Sequence, residues 1–325
     1  MAAYRLCSHA EVSDGEGLLT SLAHLERLTF AHYDGVVSAG PSFMRWYTGR
    51  PGMNPQVCQA AFCGDTLVSS VFVTLARMRL GGEVVVCGLV DTVMTHPDHR
   101  RRGLAGTLLR RALAAMGAAG AEVSLLNTAR EEPIRPPERL YRDVGYLPRE
   151  LVIRFWRQPG PLSAGGDKAT RLRPDESARS LFERSLGERD GWLLLDDNLW
   201  RWRRQERPAE YPVALYRTDS GALAAVCCGE LLVSGRSRSV CVVSDLVLPG
   251  KDALLALVGV AAPDRLVTLL CPQSDASLMR LAGDAGFAAG GTEVAMLRPI
   301  TERGARLLSR PTSGWYVALE SLVGV

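Results

Sequence analysis

Hydrophobic and polar positions follow a similar order in the two halves of this chain. Apolar residues at helical spacing come first, over 18–30 and again over 177–186. Apolar runs typical of strands follow in the first half, at 59–63, 67–76, 84–94, 122–126 and 151–156. Helical patterns interrupt them at 104–116 and 138–143, and the second half repeats strand patterns at 213–216, 222–230 and 239–247. This order predicts an α+β fold, with a mixed, mostly antiparallel central sheet flanked by helices.

Three short sequence matches connect the two halves. They pair Trp46 with Trp202, Asp91 with Asp245 and Gly145 with Gly286, at offsets of 156, 154 and 141 residues. Matches that keep their order while the offset shrinks slowly indicate an internal duplication. We therefore predict two tandem domains, at 1–157 and 171–325, the second with a C-terminal tail. A linker rich in Pro, Gly and Ser joins them at 158–170.

Composition narrows the class of protein. The 325 residues are 47% hydrophobic and 22% charged, which is enough to build ordinary globular cores. The net charge of +3 is small and dispersed, which argues against nucleic acid as a partner. Apolar runs stay well below the roughly 18 residues of a membrane span, so we expect a cytoplasmic protein without a membrane partner. The eight cysteines lack metal-ligand spacing, so no metal is expected and Cys241 should be a reduced core residue.

The most informative stretch is a basic, glycine-containing turn at 100–106. It reads Arg-Arg-Arg-Gly-Leu-Ala-Gly and lies between the strand predicted at 84–94 and the helix predicted at 104–116. A small-residue turn that opens a helix exposes backbone N–H groups where the helix dipole favours an anion. The turn therefore predicts a phosphate site.

The spacing of residues in this turn decides between three kinds of phosphate loop. It matches neither GxxxxGK[ST] nor GxGxxG, but Arg100, Gly103 and Ala105 match R/Q-x-x-G-x-G/A. With the flanking segments 91–104 and 140–146, the sequence here resembles the GNAT acyltransferase superfamily. Its closest resemblance is to the enhanced-intracellular-survival acetyltransferases, without room for their sterol-carrier-like third domain. The resemblance covers about 1–157 well and 171–300 only as a degenerate copy.

The resemblance implies which residues hold the cofactor, acetyl-CoA. Val93, Met94 and Thr95 would lend backbone groups to the pantetheine arm. The pyrophosphate would lie in the turn itself, against Arg100, Arg101, Arg102, Gly103, Leu104, Ala105 and Gly106. Arginine suits this role because its planar guanidinium can bind a phosphate with two hydrogen bonds.

Acyl transfer to an amine needs a base for the ammonium and an acid for the leaving thiolate. A free, lysine-like ammonium has a pKa of about 10.4, so it must lose a proton before it can attack the thioester. The resemblance makes Tyr141 the general acid. Asp91 is a possible base, although its repetition as Asp245 favours a structural role. His96, Glu83, Glu26, Asp34 and a water chain remain open as bases.

Two further predictions concern the residues that bind the acceptor and the role of the second domain. The segment 11–34 is acidic, so Glu26 and Asp34 are candidates for binding a cationic amine. At the offset of 154, the phosphate turn falls on 254–259, which has neither a basic residue nor a central glycine. At the offset of 141, Tyr141 falls on Ala282. We therefore expect the second domain to keep the fold without binding CoA.

Together these features predict an N-acetyltransferase that passes acetyl from acetyl-CoA directly to a small, cationic amine in a ternary complex. Two alternatives remain open. One is an N-acyltransferase that transfers longer chains to natural products, and the other is an acyl-CoA-binding protein without activity. The small-molecule amine is the expected partner, and the chain could act as a monomer or a homodimer.

Overall fold

A computed structural model describes most of the chain. It covers residues 3–31, 36–37, 40–130, 138–161, 166–261, 264–312 and 314–317. The strands are β1 (Tyr4–Ser8), β2 (Val36–Val37), β3 (Gln59–Cys63), β4 (Thr66–Leu80), β5 (Glu83–Thr95), β6 (Val123–Ala129), β7 (Leu147–Arg157), β8 (Ala169–Leu172), β9 (Val213–Thr218), β10 (Leu223–Val233), β11 (Arg236–Val247), β12 (Leu266–Pro272) and β13 (Ala288–Pro299).

Helices connect these strands in both halves of the chain. They are α1 (Gly15–Phe30), α2 (Pro41–Thr48), α3 (Leu104–Ala118), α4 (Glu138–Asp143), α5 (Glu176–Leu186), α6 (Asp197–Arg204), α7 (Lys251–Ala261), α8 (Ala276–Asp284) and α9 (Glu302–Leu308). The predicted helix at 138–143 has the same bounds as α4. The strand predicted at 84–94 extends by one residue at each end to form β5.

The described strands form one sheet in the order β1-β3-β4-β5-β6-β13-β7-β12-β11-β10-β9-β8, with β2 added beside β10. Its neighbours are antiparallel except for the parallel pairs β5–β6 and β11–β12. The α+β prediction with a mostly antiparallel sheet is therefore confirmed.

The last strands of the two halves are exchanged within this sheet. β13, from the second half, pairs with β6 and β7 of the first half. β7 in turn lies between β13 and β12, so both of its neighbours come from the second half. The domain boundary at 158–170 stays a prediction, but neither half completes its part of the sheet with its own strands.

Bulges in the central strands correct the alignment of the repeat. Thr92 and Val93 lie opposite one residue of β4, and Asp245 and Leu246 lie opposite one residue of β10. Thr92 and Asp245 both adopt positive φ angles, of 47° and 52°. The structural counterpart of Thr92 is therefore Asp245, at an offset of 153 residues. The sequence pairing of Asp91 with Asp245 was wrong by one position, because a bulge inserts a residue without changing the hydrophobic pattern around it.

A disulfide bond joins Cys228 and Cys241, which are register partners on β10 and β11. The expectation of a reduced Cys241 was therefore wrong. Both residues lie in apolar strand runs, and only the pairing register brings their sulfur atoms together.

Candidate active site

The gap between β5 and β6 forms the centre of the candidate site. The two strands pair only from Cys87 to Leu89, opposite Val123 to Leu125. Beyond this point they diverge, since β5 continues to Thr95 and β6 continues along β13 to Ala129. The β6-facing edge of Val93, Met94 and Thr95 therefore leaves backbone groups available to an extended, strand-like ligand.

A bulge at Thr92 lies where the two strands separate. Its φ of 47° is unusual for a β-branched residue and indicates a locally constrained backbone. The phenol of Tyr47 lies 2.7 Å from Thr92 Oγ1 and holds the side chain at this position. The bulge thereby connects the cleft to α2, the helix that carries Tyr47.

The turn between β5 and α3 leaves the start of the helix open. Gly103 is the N-cap with a φ of 75°, and no side chain of the described residues caps the helix. The first intrahelical bond runs from Thr107 N to Gly103 O. The N–H groups of Leu104, Ala105 and Gly106 therefore have no acceptor within the helix. A Cβ atom on Gly103 would meet no heavy atom of the described residues within 4 Å, so there is open space beside this N-cap.

The three arginines of the turn have different surroundings. Arg100 donates to Thr95 O (3.3 Å) and to Thr29 O on α1 (3.4 Å), which braces the turn against β5 and α1. Arg101 is exposed and has a φ of 62°. Arg102 donates to Tyr4 OH (2.9 Å) and to Asp98 O (3.2 Å). Arg101 and Arg102 are thus at the surface of the turn, whereas the contacts of Arg100 favour a bracing role over its predicted contact with phosphate.

Tyr141 lies on α4, beside the first turn of α3, with only 7% of its surface exposed. Leu140 contributes to this packing, because its Cδ1 atom would lie 3.4 Å from a Cβ on Gly106. The chain then turns at Gly145, with a φ of 88°, and Tyr146 N bonds to Tyr141 O at 3.0 Å. Tyr146 is fully buried and its hydroxyl lies 2.6 Å from Ser124 Oγ. Both tyrosines therefore belong to the buried core, and α4 reaches the first turn of α3 through Leu140.

Asp91 forms a buried ion pair with Arg50, with 2.7 Å between Asp91 Oδ2 and Arg50 Nη2. Burial in the core by itself lowers the pKa of the Arg50 guanidinium, but the negative charge of Asp91, with smaller effects from Tyr47, outweighs it, so that the pKa of Arg50 is raised. A carboxylate held by a buried guanidinium is poorly placed to accept and release a proton during each reaction. The pairing therefore counts against Asp91 as the base, and a similar cluster surrounds Asp245, with Arg203, Arg204 and Tyr316.

The other predicted bases lie in different places. Glu83 pairs with Arg303 and Arg310 at the far end of β5, about 40 Å along the strand from Thr95. Glu26 is on α1, one turn before Thr29, and only 7% of its surface is exposed. His96 accepts a hydrogen bond from Asp98 N in the turn. Asp34 lies outside the described residues. Glu26 is therefore the predicted carboxylate that α1 brings nearest to the end of β5.

Residues of the second half contact α2 and β2 of the first half. Tyr211 packs edge-on against Phe43 of α2, with 5.5 Å between the ring centroids. Burial and the charges of Glu210 and Glu26, with smaller effects from Cys227 and Glu230, raise the pKa of Tyr211 to about 12. β2, between α1 and α2, pairs with Leu231 and Leu232 of β10. Sequence patterns missed these contacts, because they join positions 168 to 196 residues apart.

The second half has no counterpart to the phosphate turn. Between β11 and α7 there are three residues, 248–250, compared with eight between β5 and α3. Residues 254–259, which the sequence alignment placed opposite the turn, lie inside α7. Among the described residues no cluster of His, Cys, Asp and Glu could hold a metal ion. No described helix is long and apolar enough to cross a membrane.

Solved structures resemble this fold along nearly the whole chain. A GCN5-related N-acetyltransferase from Anabaena variabilis is 15% identical, with a TM-score of 0.62 over 93% of this chain and 74% of that one. A Pyrococcus horikoshii protein is 10% identical, with a TM-score of 0.63 over 98% and 96%. Eis1 from Mycobacterium abscessus is 16% identical, with a TM-score of 0.53 over 92% and 74%. These similarities establish the fold.

Sequence comparison finds a family match within the first half. No curated protein sequence is significantly similar to the chain. Residues 19–148 match the family described as acetyltransferase (GNAT) domain, and this range contains the diverging strands, the uncapped helix α3 and Tyr141. Residues 19–148 of this chain, two fifths of its length, are therefore similar to the GNAT acetyltransferase family.

Proposed function

We propose that the chain is an N-acetyltransferase that transfers acetyl from acetyl-CoA to a small, cationic amine. The observation that carries this proposal is the position of the uncapped α3 N-terminus, at the end of the cleft between β5 and β6. One end of the cleft thus offers donors to a diphosphate, and its edge offers backbone groups to an extended arm.

The residues present fit acetyl-CoA. Gly103 leaves open space beside three helical N–H groups that have no acceptor within the helix, and Arg101 and Arg102 are at the surface of the same turn. Each anion contact at a helix N-terminus contributes about 0.3–2 kcal/mol. Val93, Met94 and Thr95 would hold the pantetheine arm through their backbone. Acetyl-CoA supplies an acyl thioester, which an amine can attack directly.

Protein side chains have two tasks beside that thioester. Tyr141 would donate a proton to the leaving sulfur, as the family's tyrosine in this segment does. Glu26 would attract the ammonium form of the acceptor to the α1 side of the cleft. Positioned acids and bases typically contribute about 10²–10⁴-fold to the rate. The second half would complete the acceptor side through Tyr211 and the strand pair β2–β10.

Turnover of acetyl-CoA by the purified full chain tests this function. With a panel of polyamines, aminoglycosides and simple primary amines, we expect release of free CoA thiol and an acetylated product in the mass spectrum. Longer acyl-CoAs in competition test the alternative of a longer acyl donor. CoA binding without turnover of any acyl-CoA on any amine would instead favour a binding protein, and absence of CoA binding would contradict both readings.

A further inference from the structure

A cluster of three polar side chains lies beside the phosphate turn and joins it to the edge of the sheet. It consists of Tyr4, His99 and Arg102, which we call the Tyr4 cluster. The Tyr4 hydroxyl lies 3.0 Å from His99 Nδ1 and 2.9 Å from Arg102 Nη1. The ring of His99 also packs edge-on against that of Tyr4. Contacts across 95 and more residues thus determine where Arg102 points.

The hydrogen bonds of the cluster leave donors available to a ligand. A guanidinium can only donate, so the Tyr4 oxygen accepts from Arg102. The phenol proton is then available to His99 Nδ1, which would leave the ring proton of His99 on Nε2. Arg102 uses one further N–H on Asp98 O. The remaining N–H groups of its guanidinium stay free of these contacts.

Charge supports an anionic ligand at this cluster. Among the ion pairs of the described residues, none includes Arg102, whereas many other arginines are paired with carboxylates. Arg102 is the residue immediately before the N-cap Gly103, so its positive charge lies just outside the helix terminus. One phosphate group would accept hydrogen bonds from the helical N–H groups. A second phosphate group would need a cation next to those N–H groups.

We infer that the Tyr4 cluster recognises the 3′-phosphate of CoA, with Arg102 as the binding group and Tyr4 as a positioning residue. The inference rests on the proposed function, because it assumes that the turn binds CoA. CoA carries a phosphate monoester at its nucleotide end in addition to the pyrophosphate. A monoester with about two negative charges is the group for which a planar, oriented guanidinium is best suited. Tyr4 would act indirectly, by holding Arg102 and His99 in place.

The test compares CoA with 3′-dephospho-CoA by isothermal titration calorimetry on the full chain. We expect wild type to bind CoA at least about tenfold more tightly, as one charge-assisted contact of roughly 1.4 kcal/mol would give. Arg102→Gln should reduce this preference to about threefold or less while binding 3′-dephospho-CoA nearly as wild type does. Tyr4→Phe should give an intermediate preference, and Arg102→Lys should keep more of it than Arg102→Gln.

Matched variants separate this role from a structural one. Arg184→Gln removes an exposed charge from α5, and Tyr216→Phe removes a hydroxyl from β9, so both should leave the preference unchanged. If the Tyr4 cluster had only a structural role, its variants would weaken the binding of CoA and of 3′-dephospho-CoA equally. Equal affinities in wild type, or equal losses in Arg102→Gln, would overturn the inference and leave the proposed function standing. If neither ligand binds to wild type, the proposed function itself fails.

Discussion

The indole rings of Trp46 and Trp202 stack face to face, with 4.4 Å between their centroids and 6° between their planes. Trp202 Nε1 also donates to Trp46 O at 3.0 Å. The two residues are matched positions of the internal repeat, on α2 and α6. Contact between equivalent positions is what a two-fold relation between the halves produces. The stack therefore joins α2 of the first half to α6 of the second half.

Removal of the Trp202 ring should destabilise the whole chain. Trp202→Ala should lower the free energy of unfolding by about 3–5 kcal/mol, because a buried indole and its stacking partner are lost. Trp202→Phe keeps an aromatic ring and should lower the free energy of unfolding by less. Denaturant unfolding measures this free energy for both variants. In a double-mutant cycle with Trp46→Ala, we expect a coupling of about 0.5–1.5 kcal/mol, and zero coupling would contradict a direct role of the stack.

The first half should not fold by itself. In a fragment of residues 1–157, β7 would have no neighbouring strand and β6 would lose one of its two partners. Such unpaired strands expose backbone groups and apolar surface, so we expect an insoluble or unfolded fragment. Co-expression with residues 171–325 should restore a soluble complex. A cooperative thermal transition of the isolated fragment would refute the exchanged arrangement.

Gly103→Ala should weaken CoA binding. The φ of 75° disfavours any residue with a Cβ by about 1–2 kcal/mol, so the turn should shift and lose about tenfold in affinity. Gly64→Ala is a matched control, since Gly64 has a φ of 58° and equally open space in the β3–β4 turn. Both variants should lose similar stability, but only Gly103→Ala should change the dissociation constant. Unchanged CoA affinity would exclude the turn as the phosphate site.

Tyr141→Phe should separate chemistry from binding. Loss of the proposed acid should lower kcat by about 10²–10⁴-fold while the affinity for CoA stays within a few fold. Tyr146→Phe instead removes a buried hydroxyl beside Ser124 and should cost about 0.5–1.5 kcal/mol of stability without a comparable loss of kcat. Steady-state kinetics and calorimetry distinguish the two. Full activity of Tyr141→Phe would show that the acid is another group.

His9 should make the fold less stable at acidic pH. Burial lowers the pKa of His9 from 6.5 to about 4, and Nε2 lies 2.9 Å from Ser70 Oγ. The unfolded chain therefore takes up a proton more readily, so this contribution is present above pH 6.5 and is lost as the pH falls towards 4. Between pH 7 and pH 5 we expect a loss of about 2 kcal/mol. His9→Gln should flatten this part of the pH profile, measured by urea unfolding, and an unchanged profile would exclude His9 as the cause.

Local features of the chain were predictable because short segments encode them. The bounds of α4 and the basic, glycine-containing turn before α3 depend on neighbouring residues. The apolar pattern of α3 likewise marks the face that packs on the sheet. The same local patterns indicated the internal repeat and an α+β fold. These predictions needed only the spacing of residues along one helix, strand or turn.

Tertiary structure alone decided how these segments meet. Nothing in the apolar pattern of β7 distinguishes β12 and β13 from other strands as partners, because every strand offers the same backbone hydrogen bonds. The bulge at Thr92, the pairing of Asp91 with Arg50 and the disulfide at Cys241 likewise depend on register between distant strands. So does the position of Tyr4 beside Arg102. The sequence by itself determined the basic, glycine-containing turn that opens α3, whereas long-range pairing determined which side chains border that turn and which are committed to the core.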